Sequence, residues 1–314
     1  MFPLQAQQRP VQTASNPPAG DASPTFTFKS DVRDVRVDAL VTNQGQVVTD
    51  LTINDFYVFD NNVQQQIRYF AREAEPLSLI LLVDVSGSMQ KYVQQVAGIA
   101  RDALRVLKPK DRVALMVFAR HTQVKRDFTD NLDSTAESLK DARFDDELGA
   151  GTAINEALLD AAKYMEGHTE ERGRKAVLIL TDNLGLNYQA PDNKVIQAFY
   201  ASDAVLNALV VGKASKPEPI APGHYMNPDF TPPDVYHIAD ETGGEAVKAE
   251  RVTTDFARMV ERIRTRYTIQ YNMPANAAGF RTVRLELTPL AKARYPMAVI
   301  HARRGYNAGV SRHP

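Results

Sequence analysis

The pattern of apolar and polar positions divides the chain into a central region and two flanks. In the central region, short apolar runs such as LSLILLVDV at 77–85 alternate with stretches whose apolar residues recur at helical spacing, as Val93, Val96 and Ala97 do. Strands that alternate with helices are typical of a sheet covered by helices on both faces. We therefore predict the α/β fold class for residues 76–266, with a doubly wound, mostly parallel, Rossmann-like sheet.

The amino-terminal flank, residues 25–75, changes to a period of two. Phe56 and Val58 alternate with polar residues, which is typical of half-buried strands. The turn DNN follows, and it predicts a hairpin whose second strand contains Ile67 and Tyr69.

The carboxyl-terminal flank, residues 267–306, shows the same period. It predicts three strands, YTIQYNM, TVRLELT and MAVIHAR, joined by turns at PANAAG and AKARYP. Neither flank alone has enough strands to cover an apolar face. We therefore predict that the two flanks fold together as a smaller all-β domain.

The two ends of the chain lack either period. Residues 1–24 are rich in Pro, Gln, Ala and Ser, which predicts a disordered leader, and residues 307–314 are predicted to be a short tail. Within the leader, LQAQQ resembles the small-residue end of a secretory signal whose apolar part is missing. This resemblance predicts an exported protein, either periplasmic, secreted or on the cell surface.

Composition excludes several classes of function. Lys and Arg (37) nearly balance Asp and Glu (38), so no global field favours nucleic acid or an anionic membrane. The chain has no cysteine, which excludes a disulfide framework, a thiolate zinc site and a cysteine nucleophile. No apolar run approaches the roughly 20 residues that a membrane-spanning helix needs.

Three separated segments carry polar side chains that are expected to meet. Asp84, Ser86 and Ser88 follow the first apolar strand of the central region, Asp182 ends the apolar run KAVLILTD, and Thr152 lies in the glycine-flanked loop GAGTAINEAL. In an open α/β sheet, ligands bind outside the carboxyl ends of the strands, where the strand order reverses. All five side chains offer oxygen atoms. Such ligands suit Mg²⁺, with Mn²⁺ or Ca²⁺ as alternatives.

These segments resemble the metal-ion-dependent adhesion site of von Willebrand factor type A domains. The resemblance covers about residues 76–266 and rests on three patterns in the family's order: DxSxS at 84–88, Gly151–Thr152 and Thr181–Asp182. A narrower similarity extends over nearly the whole ordered chain, in segments such as VTDLTINDFYVFDN, ADETGGEAV and ARRGY. It points to a family related to these domains, found largely in acidobacteria, whose members carry β-rich flanks and are usually exported.

The resemblance implies a role for each residue. Ser86 and Ser88 would bind the metal directly, and Thr152 directly or through water. Asp84 and Asp182 would act mainly through water, and an Asp or Glu of a partner protein would occupy the open position. One departure is Asn183, which stands where such domains commonly have glycine.

Other interpretations of the same residues remain open. Serines and threonines cap helices and form turns, so each loop alone is also consistent with an ordinary turn. Asp84 at the end of a strand also resembles the nucleophile of an aspartyl-phosphate enzyme, which would make the chain a Mg²⁺-dependent phosphohydrolase. A third possibility is a structural or assembly protein of the cell envelope with a vestigial metal site.

Catalytic motifs are missing from the sequence. There is no GxSxG, GxxxxGK[ST] or HExxH, and residue 86 is a serine where phosphoryl transfer would favour a second acid. We therefore predict a protein-binding module and not an enzyme. The proline-rich segment at 213–234 is predicted to be a solvated loop, with a flap that presents Tyr225 and Phe230 as the alternative.

Overall fold

The computed structural model of the chain describes residues 34–143, 146–169, 173–185, 190–213, 216 and 233–309. These residues form fifteen strands, which are, in chain order, β1 (Asp34–Asn43), β2 (Gln46–Val47), β3 (Phe56–Asp60), β4 (Val63–Gln65), β5 (Ile67–Arg72), β6 (Leu77–Asp84), β7 (Arg112–Phe118), β8 (Thr122–Thr129), β9 (Arg174–Thr181), β10 (Ala204–Val210), β11 (Ala246–Lys248), β12 (Tyr267–Asn272), β13 (Gly279–Leu287), β14 (Ala298–His301) and β15 (Gly305–Ala308).

Seven α-helices lie between the strands in the same described residues. They are α1 (Gln90–Leu104), α2 (Leu132–Lys140), α3 (Ile154–His168), α4 (Asp192–Ser202), α5 (Val235–Thr242), α6 (Val252–Arg264) and α7 (Pro289–Arg294). Two 3₁₀ turns, Ile53–Asp55 and Asp146–Leu148, complete the regular structure of this part of the chain.

The central sheet has six strands in the order β11-β10-β9-β6-β7-β8. All neighbours are parallel except β7 and β8, which form an antiparallel pair. Leu79 and Leu81 of β6 belong to a core that includes residues of α1, α2 and α6, whereas Ile80 and Leu82 face a core with α3, α4 and α5. Because both faces are covered, the strand is apolar at nearly every position. The predicted fold class, an α/β doubly wound and mostly parallel sheet, is confirmed.

Strands from both flanks combine into two further antiparallel sheets. One sheet has the order β14-β1-β12-β5, with β2 also pairing with β1, and the other has the order β15-β13-β3-β4. Val37 and Ile269 of the first sheet share one buried core with Val58 and Val283 of the second. The all-β part built from both flanks is therefore present, because neither flank could bury these side chains alone.

The domain boundaries remain a prediction, because Arg33–Pro314 form one compact unit. The strands of the flanks extend from β1 to β5 and from β12 to β15, and the last strand ends at Ala308. Residues 307 and 308, predicted to be tail, thus pair with β13. The predicted leader at 1–24 lies outside the described residues.

Two local predictions need correction, and one helix was not predicted. The DNN turn leads to β4, which pairs with β3, while Ile67 and Tyr69 belong to β5 in the other sheet. Helix α2 was not predicted, and it is short, with only one narrow buried face. AKARYP is not a simple turn, since α7 occupies most of it. The Thr288 hydroxyl accepts a hydrogen bond from the Ala291 amide and Pro289 fits the first helical turn.

Two arginines at the end of α6 are deeply buried in the structure. Arg264 and Arg266 are each only 2% exposed. The Nε of Arg264 lies 2.7 Å from Oδ2 of Asp111, and Arg266 donates to Oδ1 of Asn207 in β10 at 3.1 Å. Helix α6 passes directly into β12, so these side chains lie between the central sheet and the flanking sheets, away from water.

Candidate functional site

The order of the central sheet places two strand ends side by side. From β6 the chain continues to β7 and β8 on one side of the sheet, and β9 to β11 lie on the other side. The strand order therefore reverses between β6 and β9, which are parallel neighbours with Val83 opposite Leu180. Asp84 ends β6 and Asp182 directly follows β9, so both carboxylates lie at the same carboxyl edge.

Asp84 is completely buried and both of its carboxylate oxygens accept hydrogen bonds. The Ser86 amide donates to Oδ1 at 3.0 Å, and the Thr181 hydroxyl donates to Oδ2 at 2.9 Å. The first bond closes a tight turn after β6, and the second connects β6 to β9. Asp84 is thereby held in one orientation by the backbone of its own loop and by the neighbouring strand.

The two serines connect this turn to Asp182. The Ser88 hydroxyl donates to Oδ2 of Asp182 at 2.7 Å, and the hydroxyl oxygens of Ser86 and Ser88 lie 3.5 Å apart. The Leu184 amide donates to Oδ1 of Asp182 at 3.1 Å. Four of the five predicted residues, Asp84, Ser86, Ser88 and Asp182, thus lie in two adjoining loops linked by these contacts.

Thr152, the fifth predicted residue, lies on an adjacent loop. The Ala153 amide donates to the Ala119 carbonyl at 2.8 Å, which attaches this loop to the end of β7. A Cβ placed on Gly185 would lie 2.7 Å from the Thr152 carbonyl oxygen, so the loops that carry Thr152 and Asp182 touch. Among the described residues, no hydrogen bond joins the Thr152 hydroxyl to the other four side chains.

Asn183 preserves the backbone conformation that glycine would provide at this position. Its φ is 56°, in the left-handed region, which asparagine enters more readily than other residues with a side chain. Its amide donates to the Thr181 hydroxyl at 3.1 Å. The departure from glycine therefore leaves the loop able to direct Asp182 toward Ser88.

The electrostatics of the edge favour a cation. The pKa of Asp84 is raised from 3.8 to about 6, because burial and the nearby charge of Asp182 raise it by more than the hydrogen bonds from Ser86 and Thr181 lower it. Within the described part of the chain, neither carboxylate forms an ion pair with Lys or Arg. Two carboxylates and two hydroxyls with no basic partner are a donor set suited to a hard divalent ion.

The candidate metal ligands at this edge of the sheet do not form a dense group of acidic or histidine side chains. In the described ranges, no group of three or more His, Cys, Asp or Glu residues is arranged to hold a metal. With Thr152 included, three of the five predicted residues offer a hydroxyl oxygen, and each of two loops adds one carboxylate. The chemistry of these residues fits a cation held mainly by neutral oxygens, and the metal site itself stays a prediction.

Sequence reasoning missed the structural roles of three residues near the site. Thr181 was noted only as part of a motif, yet its hydroxyl holds Asp84. Asn155 is fully buried at the start of α3, and Gly185 packs against the Thr152 carbonyl. A polar residue at a buried position of the apolar pattern INEALLDAA was the available signal for Asn155. Most of the segment predicted as a loop or flap at 213–234 lies outside the described residues.

Comparison with known proteins agrees with this architecture. Residues 79–185 match the family model described as von Willebrand factor type A domain, and this range includes all five predicted residues. No curated protein matches the chain. No helix in the described residues is long and apolar enough to cross a membrane.

Several solved structures are similar to the chain. An aerotolerance-related membrane protein from Bacteroides fragilis NCTC 9343 is 16% identical, with a TM-score of 0.45, over 60% of this chain and 98% of that chain. The protein BatB from Bacteroides thetaiotaomicron is 19% identical, with a TM-score of 0.45, over 60% and 97%. A von Willebrand factor type A protein from Catenulispora acidiphila is 12% identical, with a TM-score of 0.46, over 89% and 75%.

Proposed function

We propose that this chain is a protein-binding module whose affinity depends on a divalent cation at the edge of the central sheet. Mg²⁺ is the ion we expect, with Mn²⁺ and Ca²⁺ as alternatives. The match of residues 79–185 to the von Willebrand factor type A family supports the interaction role. The observation that carries the metal dependence is the contact of Ser88 with Asp182, because it joins two loops around a pair of carboxylates without a basic partner.

The residues present would hold the ion mainly through uncharged oxygens. Ser86 and Ser88 would supply hydroxyl ligands and Thr152 a third, directly or through water. Asp84 and Asp182 would orient these ligands and balance part of the charge, as their hydrogen bonds in the structure support. A cation bound in this way stays electrophilic and gains from a carboxylate of the partner, so the partner would present an Asp or Glu.

Export is part of the same proposal. The LQAQQ segment supports it, and so does the similarity of segments such as VTDLTINDFYVFDN and ARRGY to the family related to von Willebrand factor type A domains. We infer that the chain belongs to this narrower family and acts outside the cytoplasm. A module for protein contacts in the envelope is consistent with a second, all-β part, which contacts the amino-terminal ends of the central strands through pairs such as Arg36 with Asp203 and Asp38 with Arg174, and so leaves the carboxyl edge uncovered by these contacts.

A non-enzymatic role is favoured over phosphoryl transfer by the environment of Asp84. A nucleophilic carboxylate needs an oxygen free to attack, but both oxygens of Asp84 accept hydrogen bonds and the residue is completely buried. Turnover of an aryl phosphate with Mg²⁺ that is lost in Asp84→Ala would overturn this assignment.

Isothermal titration calorimetry with Mg²⁺ and Mn²⁺ tests the metal site. Wild type is expected to bind one ion, and the double variant Ser86→Ala/Ser88→Ala is expected to lose the signal. Ser78→Ala is a matched control, because Ser78 lies on the same strand β6 at its opposite end. No binding by wild type at millimolar ion would favour the structural class with a vestigial site.

A pull-down from the envelope fraction of the native cells tests the interaction. The wild-type chain is expected to retain a protein in Mg²⁺ and to release it in EDTA, whereas the double variant retains none. Capture that is equal with Mg²⁺ and with EDTA would contradict the metal dependence.

A further inference from the structure

The loops that carry Thr152 and Asp182 are in direct contact in the structure. Gly185, three residues after Asp182, leaves no room for a Cβ, because one would meet the Thr152 carbonyl oxygen at 2.7 Å and the Ile154 side chain at 3.1 Å. The first part of the β9–α4 connection therefore lies against the amino-terminal end of α3. Asp182 lies three residues before this contact.

Asn155 holds the last part of the same connection. Its Nδ2 donates to the Ala190 carbonyl oxygen and to Oδ1 of Asp192, both at 2.7 Å. Because both acceptors are oxygens, the amide orientation is unambiguous. Asn155 is 0% exposed, so water does not compete for these bonds. One side chain in the first turn of α3 thus ties down the connection close to where α4 begins.

The side-chain amide of Asn155 uses only its NH₂ group in hydrogen bonds. Its Oδ1 is buried and has no hydrogen-bond partner among the described residues. Burying Oδ1 without a partner costs free energy, because the atom loses its hydrogen bonds to water. An apolar side chain at this helix position would avoid that cost. The two bonds from Nδ2 are what the asparagine adds, and they end on Ala190 in the β9–α4 connection and on Asp192, the first residue of α4.

We propose that Asn155 is a positioning residue of the metal site. It holds Ala190 and Asp192 against α3, next to the contact of Gly185 with Thr152 and Ile154, and through these two anchors it would keep Asp182 in reach of the Ser88 hydroxyl. The inference rests on the proposed metal-dependent function, since it assigns Asn155 an effect on cation affinity without contact to the cation. Residues that orient the ligands of a metal in this way typically change its affinity by 10–100-fold when removed.

The primary test is a calorimetric titration of the Asn155→Ala protein with Mn²⁺. We expect the dissociation constant to rise about tenfold or more relative to wild type. Asp192→Ala removes one acceptor of the same tether and is expected to shift the constant in the same direction. Asn207→Ala is the matched control, because Asn207 is also a 0% exposed asparagine, but it contacts Arg266 and the Glu245 amide instead of the site.

Amide hydrogen exchange in EDTA tests the tether without metal. Asn155→Ala is expected to exchange faster at residues 182–185 and at Ala190 and Asp192, with β6 and β7 unchanged, and Asn207→Ala is expected to leave these amides as in wild type. A folded Asn155→Ala that binds Mn²⁺ as wild type does would overturn this inference alone. If wild type bound no Mn²⁺, the proposed function would fail. The exchange rates would then decide whether Asn155 holds Ala190 and Asp192 in place, and unchanged rates in Asn155→Ala would refute this role.

Discussion

The Ser88 hydroxyl donates a 2.7 Å hydrogen bond to Oδ2 of Asp182, a residue 94 positions further along the chain. This contact joins the turn after β6 to the loop after β9, which are neighbouring strands at the point where the strand order reverses. It brings a hydroxyl and a carboxylate from two loops to one point at the sheet edge. The cation affinity of this edge should therefore depend on the charge of Asp182.

Removing the charge of Asp182 is expected to separate metal binding from folding. In Asp182→Asn, the amide oxygen can still accept from Ser88, and Asp84 loses a neighbouring negative charge. The melting temperature in EDTA should therefore be unchanged or higher than that of wild type. Mg²⁺ should raise the melting temperature of wild type but not that of the variant. At a hundredfold excess of Mg²⁺ over its dissociation constant, the free energy of unfolding of wild type should rise by about 3 kcal/mol. Equal stabilisation of both proteins by Mg²⁺ would contradict the role of this carboxylate.

The stability of the protein in EDTA is expected to depend on pH through Asp84. Its folded pKa of about 6 lies above its usual 3.8, so the folded state binds this proton more tightly than the unfolded state. The tighter proton binding adds to the free energy of unfolding at low pH, near and below 4, and this addition is lost as the pH rises through 6. A two-unit difference corresponds to about 3 kcal/mol.

Urea unfolding between pH 4 and 7 measures this effect. The free energy of unfolding of wild type should fall over this range relative to that of Asp84→Asn, which has no proton to lose. Asp130→Asn, at an exposed position, serves as the control and should follow wild type. Parallel curves for wild type and Asp84→Asn would show that the raised pKa is wrong.

Gly243 is expected to tolerate no side chain. Its φ of 91° lies in the left-handed region, and a Cβ there would overlap the backbone of Ala302 and Arg303, which belong to the carboxyl-terminal flank. Gly243→Ala should lower the free energy of unfolding by about 3 kcal/mol or more, from backbone strain and overpacking together. Thermal or urea unfolding measures the difference.

Gly98→Ala is the matched control for this substitution. Gly98 lies inside α1 and is exposed, and a Cβ added there would have no neighbouring atom within 4 Å outside its own helix backbone. Alanine should raise stability by about 0.5–1 kcal/mol, because it loses less backbone entropy in a helix. A Gly243→Ala protein as stable as wild type would mean that the flank does not approach α5 as closely as the structure shows.

Asp60 is expected to be a principal stabilising residue of the all-β part. It is 0% exposed and accepts hydrogen bonds from Tyr271 at 2.9 Å, Tyr306 at 2.8 Å and Arg281 at 2.6 Å. Asp60→Ala leaves these donors without their acceptor and should cost about 3–5 kcal/mol.

A surface ion pair provides the comparison for Asp60. Asp240 pairs with Arg304 at 2.5 Å, but both side chains are more than half exposed. Asp240→Ala should therefore cost less than about 1 kcal/mol. Similar losses of stability for the two variants, measured by urea unfolding, would refute the view that the tyrosines and Arg281 depend on Asp60.

Much of the architecture could be predicted because it is written in local periodicity. The run from Leu77 to Val83 is apolar at nearly every position, as a strand covered on both faces must be, and this pattern predicts β6. Short elements are harder to predict, because α2 and α7 bury too few residues to leave a periodic signal. The predicted second strand of the hairpin after β3 is wrong for a related reason: nothing local distinguishes β4 from β5 when they are separated by one residue.

The sequence by itself determined which residue types stand at the ends of β6 and β9, and therefore that oxygen ligands gather at one edge of the sheet. Only the tertiary structure decided that Ser88 faces Asp182, that Thr181 holds Asp84 and that Asn155 ties down the connection to α4. The physical reason is the distance along the chain over which each kind of information acts. Periodicity reports which side of an element is buried, whereas a hydrogen bond between residues far apart in the chain depends on which strands become neighbours and how their loops pack.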